Sequence, residues 1–135
     1  SYYMGCFCKY HLEGTVILEG FSPNPYPYIM NADFYICSST DEAYPLSVGE
    51  SLLLGVPVLA TDCSGTREWL GESEYGMLVD NTTDGLFSGM EHVLVHPSET
   101  IKKWTEAALR RTEHMTTASQ MEIWTASVFD GENII

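Results

Sequence analysis

The apolar positions of this chain change period repeatedly, and the changes predict alternating strands and helices. Residues 15–19 (TVILE) form a short run rich in branched side chains, ended by Gly20 and the turn-rich FSPNPYP, and read as a first strand. Residues 27–31 suit a brief helix. The apolar run 34–38, which follows Asp33, is too continuous for a surface hairpin and predicts a second strand buried on both faces. Pro45 suits the first turn of a helix, where its missing N–H costs nothing, and residues 46–54 supply an apolar face until Gly55 and Pro57 stop it. Residues 56–61 (VPVLAT) predict a third strand, and DCSGTREWL turns through Gly65 into a short helix with Thr66 as its cap. A fourth strand is expected at 76–79. Leu86, Phe87, Met90, Val93 and Leu94 then recur at helical spacing, as a helix laid over a sheet requires. Two further helical segments follow, at about 98–114 and about 119–129, each with a Trp on its apolar side, Trp104 and Trp124, whose expected role is core packing.

Strands alternating with helices imply an α/β class, a Rossmann-like parallel sheet with helices on both faces and right-handed crossovers. Four strands fall short of the roughly six of a complete doubly wound nucleotide-binding domain, so the chain reads as a domain truncated on its N-terminal side. Its 135 residues can bury one core but not two complete domains. No stretch approaches the ~18 consecutive apolar residues of a membrane span, and the first residues lack a basic segment followed by an apolar run. Neither membrane contact nor secretion is expected of this segment.

Charge narrows the partners. Six basic and nineteen acidic residues leave a formal charge of −13, which argues against a nucleic-acid surface and against an anionic-lipid surface. Cys6, Cys8, Cys37 and Cys63 lack the spacing of a zinc ribbon and the density of a disulfide-stapled scaffold, so they read as free thiols in a reducing cytoplasm. Asn81-Thr82-Thr83 matches a glycosylation acceptor, which without a signal segment reads as chance. His92 and His96, four apart with Glu99 nearby, could hold a metal, but a metal site needs a third ligand and a supporting shell, and none is expected.

The chemistry concentrates in DEAYPLSVGE. Glu42 and Glu50 stand on either side of a helix start, directly after the strand-like FYICSS, and ligands of α/β sheets bind beyond the C-terminal strand ends, where helix N-termini offer free N–H groups to anions. A phosphorylated ligand is the reading. Taken alone, two carboxylates would more simply be solvated surface groups. An acidic domain must also neutralise a diphosphate locally, because its long-range field repels the ligand.

The stretch GFSPNPYPYIMNADFYICSSTDEAYPLSVGESLLLGVPVLATDCSGTREWL combines NPYPYI before a strand, a Glu-x7-Glu motif, a GVPV strand and a G-x-x-E turn ending in Glu68. In that order and spacing it resembles the C-terminal, donor-binding domain of the group 1 retaining glycosyltransferases of the two-domain GT-B architecture, from about residue 15 to 79 and more loosely to the end. The resemblance implies that residues 1–135 are part of that domain, that an acceptor-binding N-terminal domain lies elsewhere, and that the substrate is a nucleoside-diphosphate sugar of unspecified base, with no cofactor and no required metal. It implies that Glu50 accepts hydrogen bonds from the ribose hydroxyls and that Glu42, the catalytic candidate, attends the donor sugar. Gly20, Phe21 and Ser22 match the family's base-binding loop. Ala43, Tyr44, Pro45, Leu46 and Ser47 would face the sugar and diphosphate, with the N–H groups of Leu46 and Ser47 as phosphate contacts and Pro45 giving none. The family commonly has Gly where this chain has Ala43, which would bring strain if positive φ were required there. Its diphosphate-neutralising Arg and Lys lie upstream, and Lys9 is no substitute.

The function expected is therefore donor binding within an enzyme that transfers sugar to a saccharide or lipid-linked acceptor, in surface polysaccharide synthesis. The enzyme would be cytoplasmic or peripheral at the inner face of the membrane, and this segment alone would be inactive. The competing reading is a nucleotide-binding or interaction module that uses the same scaffold without chemistry.

Overall fold

The computed structural model describes residues 9–113; the expected helix at 119–129 with Trp124, as well as Cys6, Cys8 and His114, lie outside the described residues. The elements in chain order are α1 (Tyr26–Met30), β1 (Tyr35–Cys37), α2 (Leu46–Leu53), β2 (Val58–Thr61), α3 (Ser64–Leu70), β3 (Met77–Val79), α4 (Thr83–Val95) and α5 (Pro97–Glu113). Among the described residues three strands form one parallel sheet in the order β1-β2-β3, with Tyr35 opposite Val58 and Leu59 opposite Met77. The alternation of strand and helix thus yields the α/β architecture that it predicted.

Period two assigns the strand side chains to faces. Tyr35, Cys37, Val58, Ala60 and Leu78 meet Val48 and Leu52 of α2 and Trp69 and Leu70 of α3, and Ala108 of α5 completes this cluster. Leu59 and Val79 point the other way, toward α4, which approaches them at Gly89. Trp104 is buried, as its place on the apolar side of α5 requires. Full burial of a side chain such as Leu52 contributes about 1.5–3 kcal/mol, so the α2 side dominates the core.

Four expectations need correction. Residues 15–19 form no strand: the N–H groups of Thr15 and Val16 both turn back to Leu12 O at 3.0 Å, and Ile17 and Leu18 are exposed. A strand needs a ladder partner, and among the described residues this segment pairs with no strand, so the outer edge of β1 stays open. The run at 34–38 is not buried on both faces; β1 is an edge strand, and Ile36 lies uncovered on the α4 side. The fully buried strand is the central one, β2. The cap of α3 is Cys63 rather than Thr66, with Gly65 inside the helix; Thr66 sits one turn in, where its hydroxyl accepts the Cys63 N–H at 3.0 Å and donates to Thr61 O at 2.7 Å. Finally, α4 covers the sheet only in part, leaving Phe87 and Leu94 largely in solvent.

Candidate functional site

The C-terminal end of β1 opens into a loop, residues 38–45, that feeds α2. A cavity of about 640 Å³ lies there, lined by Tyr35, Ile36, Cys37, Ser38, Ser39, Glu42, Tyr44, Pro45, Leu46, Ser47 and Glu50. Several polar groups converge on it, as small-molecule sites require. The structure therefore brings together Glu42, Tyr44, Pro45, Leu46, Ser47 and Glu50. Gly20, Phe21 and Ser22 do not line it: Phe21 is 94% exposed, and the Ser22 hydroxyl donates to Asn24 O at 2.9 Å. Ala43 also stays outside the lining, with its backbone packed near Gly65. Positive φ occurs among the described non-glycine residues at His11 and Ser73 but not at Ala43, so alanine carries no such strain there.

The loop that carries Glu42 is pinned at three carbonyls. Thr61, at the end of β2, donates its hydroxyl to Ser39 O; Asn81, after β3, donates its amide to Thr40 O at 2.6 Å; and Gly65 N–H, in the first turn of α3, donates to Glu42 O at 2.9 Å. A Cβ at position 65 would stand 2.4 Å from Glu42 O and 2.7 Å from the Ala43 carbonyl carbon. Only glycine allows α3 to reach that peptide. The Glu42 side chain is left half-buried at the rim, with its backbone fixed from below.

Pro45 is buried and caps α2 with extended geometry, supplying no side-chain hydrogen bond to the helix start. The first N–H groups of α2 thus face the cavity side without a capping side chain, and the partial positive charge of a helix N-terminus favours an anion there. Within that first turn the Tyr35 hydroxyl donates to Ser47 Oγ at 2.8 Å, and one turn further the Tyr26 hydroxyl from α1 donates to Glu50 Oε1 at 3.1 Å. Burial pushes the Tyr35 phenol above its ordinary value; the nearby Cys37, Glu50 and Glu42 add to this and the Ser47 bond opposes it. Tyr26 is raised by burial and then by the charge and hydrogen bond of Glu50. Both phenols remain neutral donors near pH 7.

Behind the helix start, Gly49 lets Trp69 lie on α2, since a Cβ there would stand 2.5 Å from the indole ring. Tyr44 covers the same indole, with ring centroids 4.8 Å apart. No lining residue is basic. The Arg67 guanidinium is held by Asp62 and Glu72, and that of Arg111 donates to Glu68 O at 3.0 Å and lies over Tyr75. Among the described residues no three His, Cys, Asp or Glu side chains converge as metal ligands, and no helix is long and apolar enough to cross a membrane. His92 and His96 pack against each other with ring centroids 5.6 Å apart and are not part of this cavity's lining.

Sequence reasoning missed Tyr26, Tyr35, Thr61, Gly65 as an anchor, and Asn81. A sequon was the one mark on Asn81, and it pointed elsewhere.

Comparison with known proteins identifies the family. The family model described as glycosyl transferases group 1 matches residues 7–111. The chain is 36% identical over 86 residues to the N-acetylgalactosamine-N,N'-diacetylbacillosaminyl-diphospho-undecaprenol 4-alpha-N-acetylgalactosaminyltransferase of Campylobacter jejuni, covering 62% of this chain and 24% of that protein. It is 38% identical over 63 residues to an uncharacterized glycosyltransferase of Methanocaldococcus jannaschii, 46% of this chain and 16% of the relative. With EpsD of Bacillus subtilis, named provisionally as a glycosyltransferase, identity is 29% over 122 residues, 87% of this chain and 32% of the relative. The chain thus spans a third or less of the length of these curated relatives.

Proposed function

The chain belongs to the group 1 glycosyl transferases, and from that premise we propose that it is the nucleotide-sugar donor-binding part of a retaining enzyme that transfers sugar to a saccharide or lipid-linked acceptor in surface polysaccharide synthesis. The observation that carries this reading is the cavity at the end of β1, where an uncapped helix N-terminus stands between Glu42 and Glu50. Each part suits one portion of a nucleoside-diphosphate sugar. Glu50, an acceptor-only carboxylate, takes the ribose hydroxyls. The N–H groups of Leu46 and Ser47 take the diphosphate. Glu42 takes a sugar hydroxyl or stabilises positive charge as the anomeric carbon becomes oxocarbenium-like. Gly20, Phe21 and Ser22 are the segment proposed to take the base.

The lack of any basic lining residue matters to the energetics. One helix N-terminus, flanked by two carboxylates that add negative charge, does not offset a diphosphate by itself, so on this reading the cations come from another part of a longer polypeptide, which would also supply the acceptor site. Relatives of which the matched stretches cover only 24% and 32% leave room for both. The Campylobacter jejuni relative is named for a diphospho-undecaprenol acceptor, which supports a lipid-linked acceptor here. The same lack of cations favours, as a second reading, a nucleotide-binding or interaction module without chemistry.

Titration with UDP, GDP and ADP, followed by amide shifts, tests the proposal. Perturbations should cluster at residues 20–22 and 43–50. No response to any of the three at about 5 mM, a concentration that detects even weak binding, would sink it. A measurable transfer rate from residues 1–135 alone would contradict the need for further chain.

A further inference from the structure

We propose that Tyr26 is a positioning residue for the donor site, fixing the Glu50 carboxylate so that it meets the ribose hydroxyls of a nucleoside diphosphate. This rests on the reading of Glu50 given above, and adds to it a second-layer contact from an element that does not line the cavity.

Glu50 projects from the middle of α2, and a free Glu side chain divides its time among many rotamers. Here Oε1 accepts the Tyr26 hydroxyl at 3.1 Å, across 24 residues of chain. Among the described residues no other hydrogen-bond donor to that carboxylate occurs, so the phenol alone sets its orientation. Tyr26 is itself built to stay in place. It is the first residue of α1, with Pro25 before it as cap and Pro27 after it, each fixing its own φ. Its N–H is taken by Asn24 Oδ1 at 3.2 Å, and Asn24 O in turn accepts the Ser22 hydroxyl. The rigid NPYP turn thus delivers one hydroxyl to one carboxylate oxygen.

The valences suit the task. A carboxylate has about four lone-pair sites, of which the phenol occupies one and the two hydroxyls of a ribose would occupy two more. Oε2 is left entirely for the ligand. Because burial and the neighbouring Glu50 charge hold the Tyr26 proton on, the phenol donates throughout the neutral range and never competes with the ribose as an acceptor. Tyr26 is absent from the cavity lining, so its effect on a nucleotide must pass through Glu50. The arrangement also joins α1, and the 20–22 loop just before it, to the ribose site.

The test measures affinity by calorimetry in the full-length protein, using whichever of UDP, GDP and ADP the wild type binds, together with its 2',3'-dideoxy counterpart. Tyr26→Phe removes one hydroxyl and should weaken the ribonucleotide about fivefold, the scale of a single hydrogen bond, while leaving the dideoxynucleotide unchanged. In a Glu50→Gln background the same substitution should bring no further selective loss. Equal weakening of both ligands by Tyr26→Phe would reduce Tyr26 to a structural residue and overturn the proposal. So would an unchanged ribonucleotide affinity in Tyr26→Phe while Glu50→Gln weakens it, which leaves the ribose role of Glu50 standing. If Glu50→Gln itself changes nothing, the underlying reading of Glu50 fails, and the Tyr26 proposal fails with it.

Discussion

The two faces of the sheet are covered to different degrees. On the face of Cys37, Val58 and Ala60, helices α2 and α3 drive Val48, Leu52, Trp69 and Leu70 to burial, and Gly49 lets the indole ring approach within the space of a missing methyl group. On the other face α4 touches the sheet at Gly89 yet leaves Phe87 65% and Leu94 76% exposed, and an apolar groove of about 370 Å³ lies between it and β1, lined by Phe34, Ile36, Leu59, Met90 and Leu94 among others. The polar cavity belongs to the tight face. A carboxylate must be held to a fraction of an ångström to act on a bound sugar, which only a frame that resists shifting can do. Dense packing behind α2 and α3, with three carbonyls of the 38–45 loop tied to β2, α3 and the end of β3, supplies that frame.

The contrast between the faces can be broken most forcefully by truncation. Leu52→Ala on the tight face should cost about 2–5 kcal/mol, whereas Leu94→Ala should stay within about 0.5 kcal/mol. Urea denaturation of both variants measures this, and comparable losses would mean that the faces do not differ.

Adding a methyl group probes the same contrast from the other side. Gly49→Ala meets the Trp69 ring, and Gly65→Ala meets the Glu42 carbonyl oxygen, in places where neither neighbour can retreat, so each should destabilise by about 1–3 kcal/mol. Gly89→Ala meets Val79 at 2.7 Å, but α4 is free to move outward and gains helix propensity of about 0.5–1 kcal/mol, so its net cost should be smaller. Gly65→Ala should in addition loosen the loop and weaken nucleotide binding, which Gly49→Ala should do less. An order in which Gly89→Ala is the most harmful would refute the picture of a yielding α4.

Within the cavity, Glu50→Gln should weaken nucleotide affinity about tenfold, the scale of one charged hydrogen bond, and more than Glu42→Gln does. The reverse order in calorimetric titrations would exchange the two assigned roles.

The smallest effect is one of pH. Burial raises the Tyr35 phenol, so the unfolded chain releases this proton near pH 10 while the folded chain keeps it. The folded state then binds more protons, and stability is intact below about pH 10 and declines as pH rises through the folded value. Tyr35→Phe should flatten that decline when urea midpoints are compared at about pH 9 and about pH 11; an unchanged slope would assign it to other groups.

Much of the architecture was legible because its signals are local. Pro45 and the pair Gly55 and Pro57 bracket α2 within one or two residues, and the branched runs of β2 and β3 announce themselves. The cavity's own lining was legible for a similar reason: Glu42, Tyr44, Pro45, Leu46, Ser47 and Glu50 occupy one strand-to-helix connection, so chain order nearly dictates their neighbourhood. TVILE misled because propensity describes a willing strand and does not show that it docks on the open edge of β1. Phe87 and Leu94 misled because helical period shows that a stripe is apolar and does not show what covers it.

By itself, then, the sequence determined the α/β class, the family, and the single loop-to-helix segment that carries two carboxylates on either side of a helix start, because all three are written in short-range patterns and a motif order. Tertiary structure alone decided how that loop is held. The hydroxyl of Tyr26 on Glu50, the amide of Asn81 on Thr40 and the N–H of Gly65 on Glu42 join residues as many as 41 positions apart, and a hydrogen bond over such a span leaves no period or spacing in the chain, since it exists only after the sheet has brought its strand ends together.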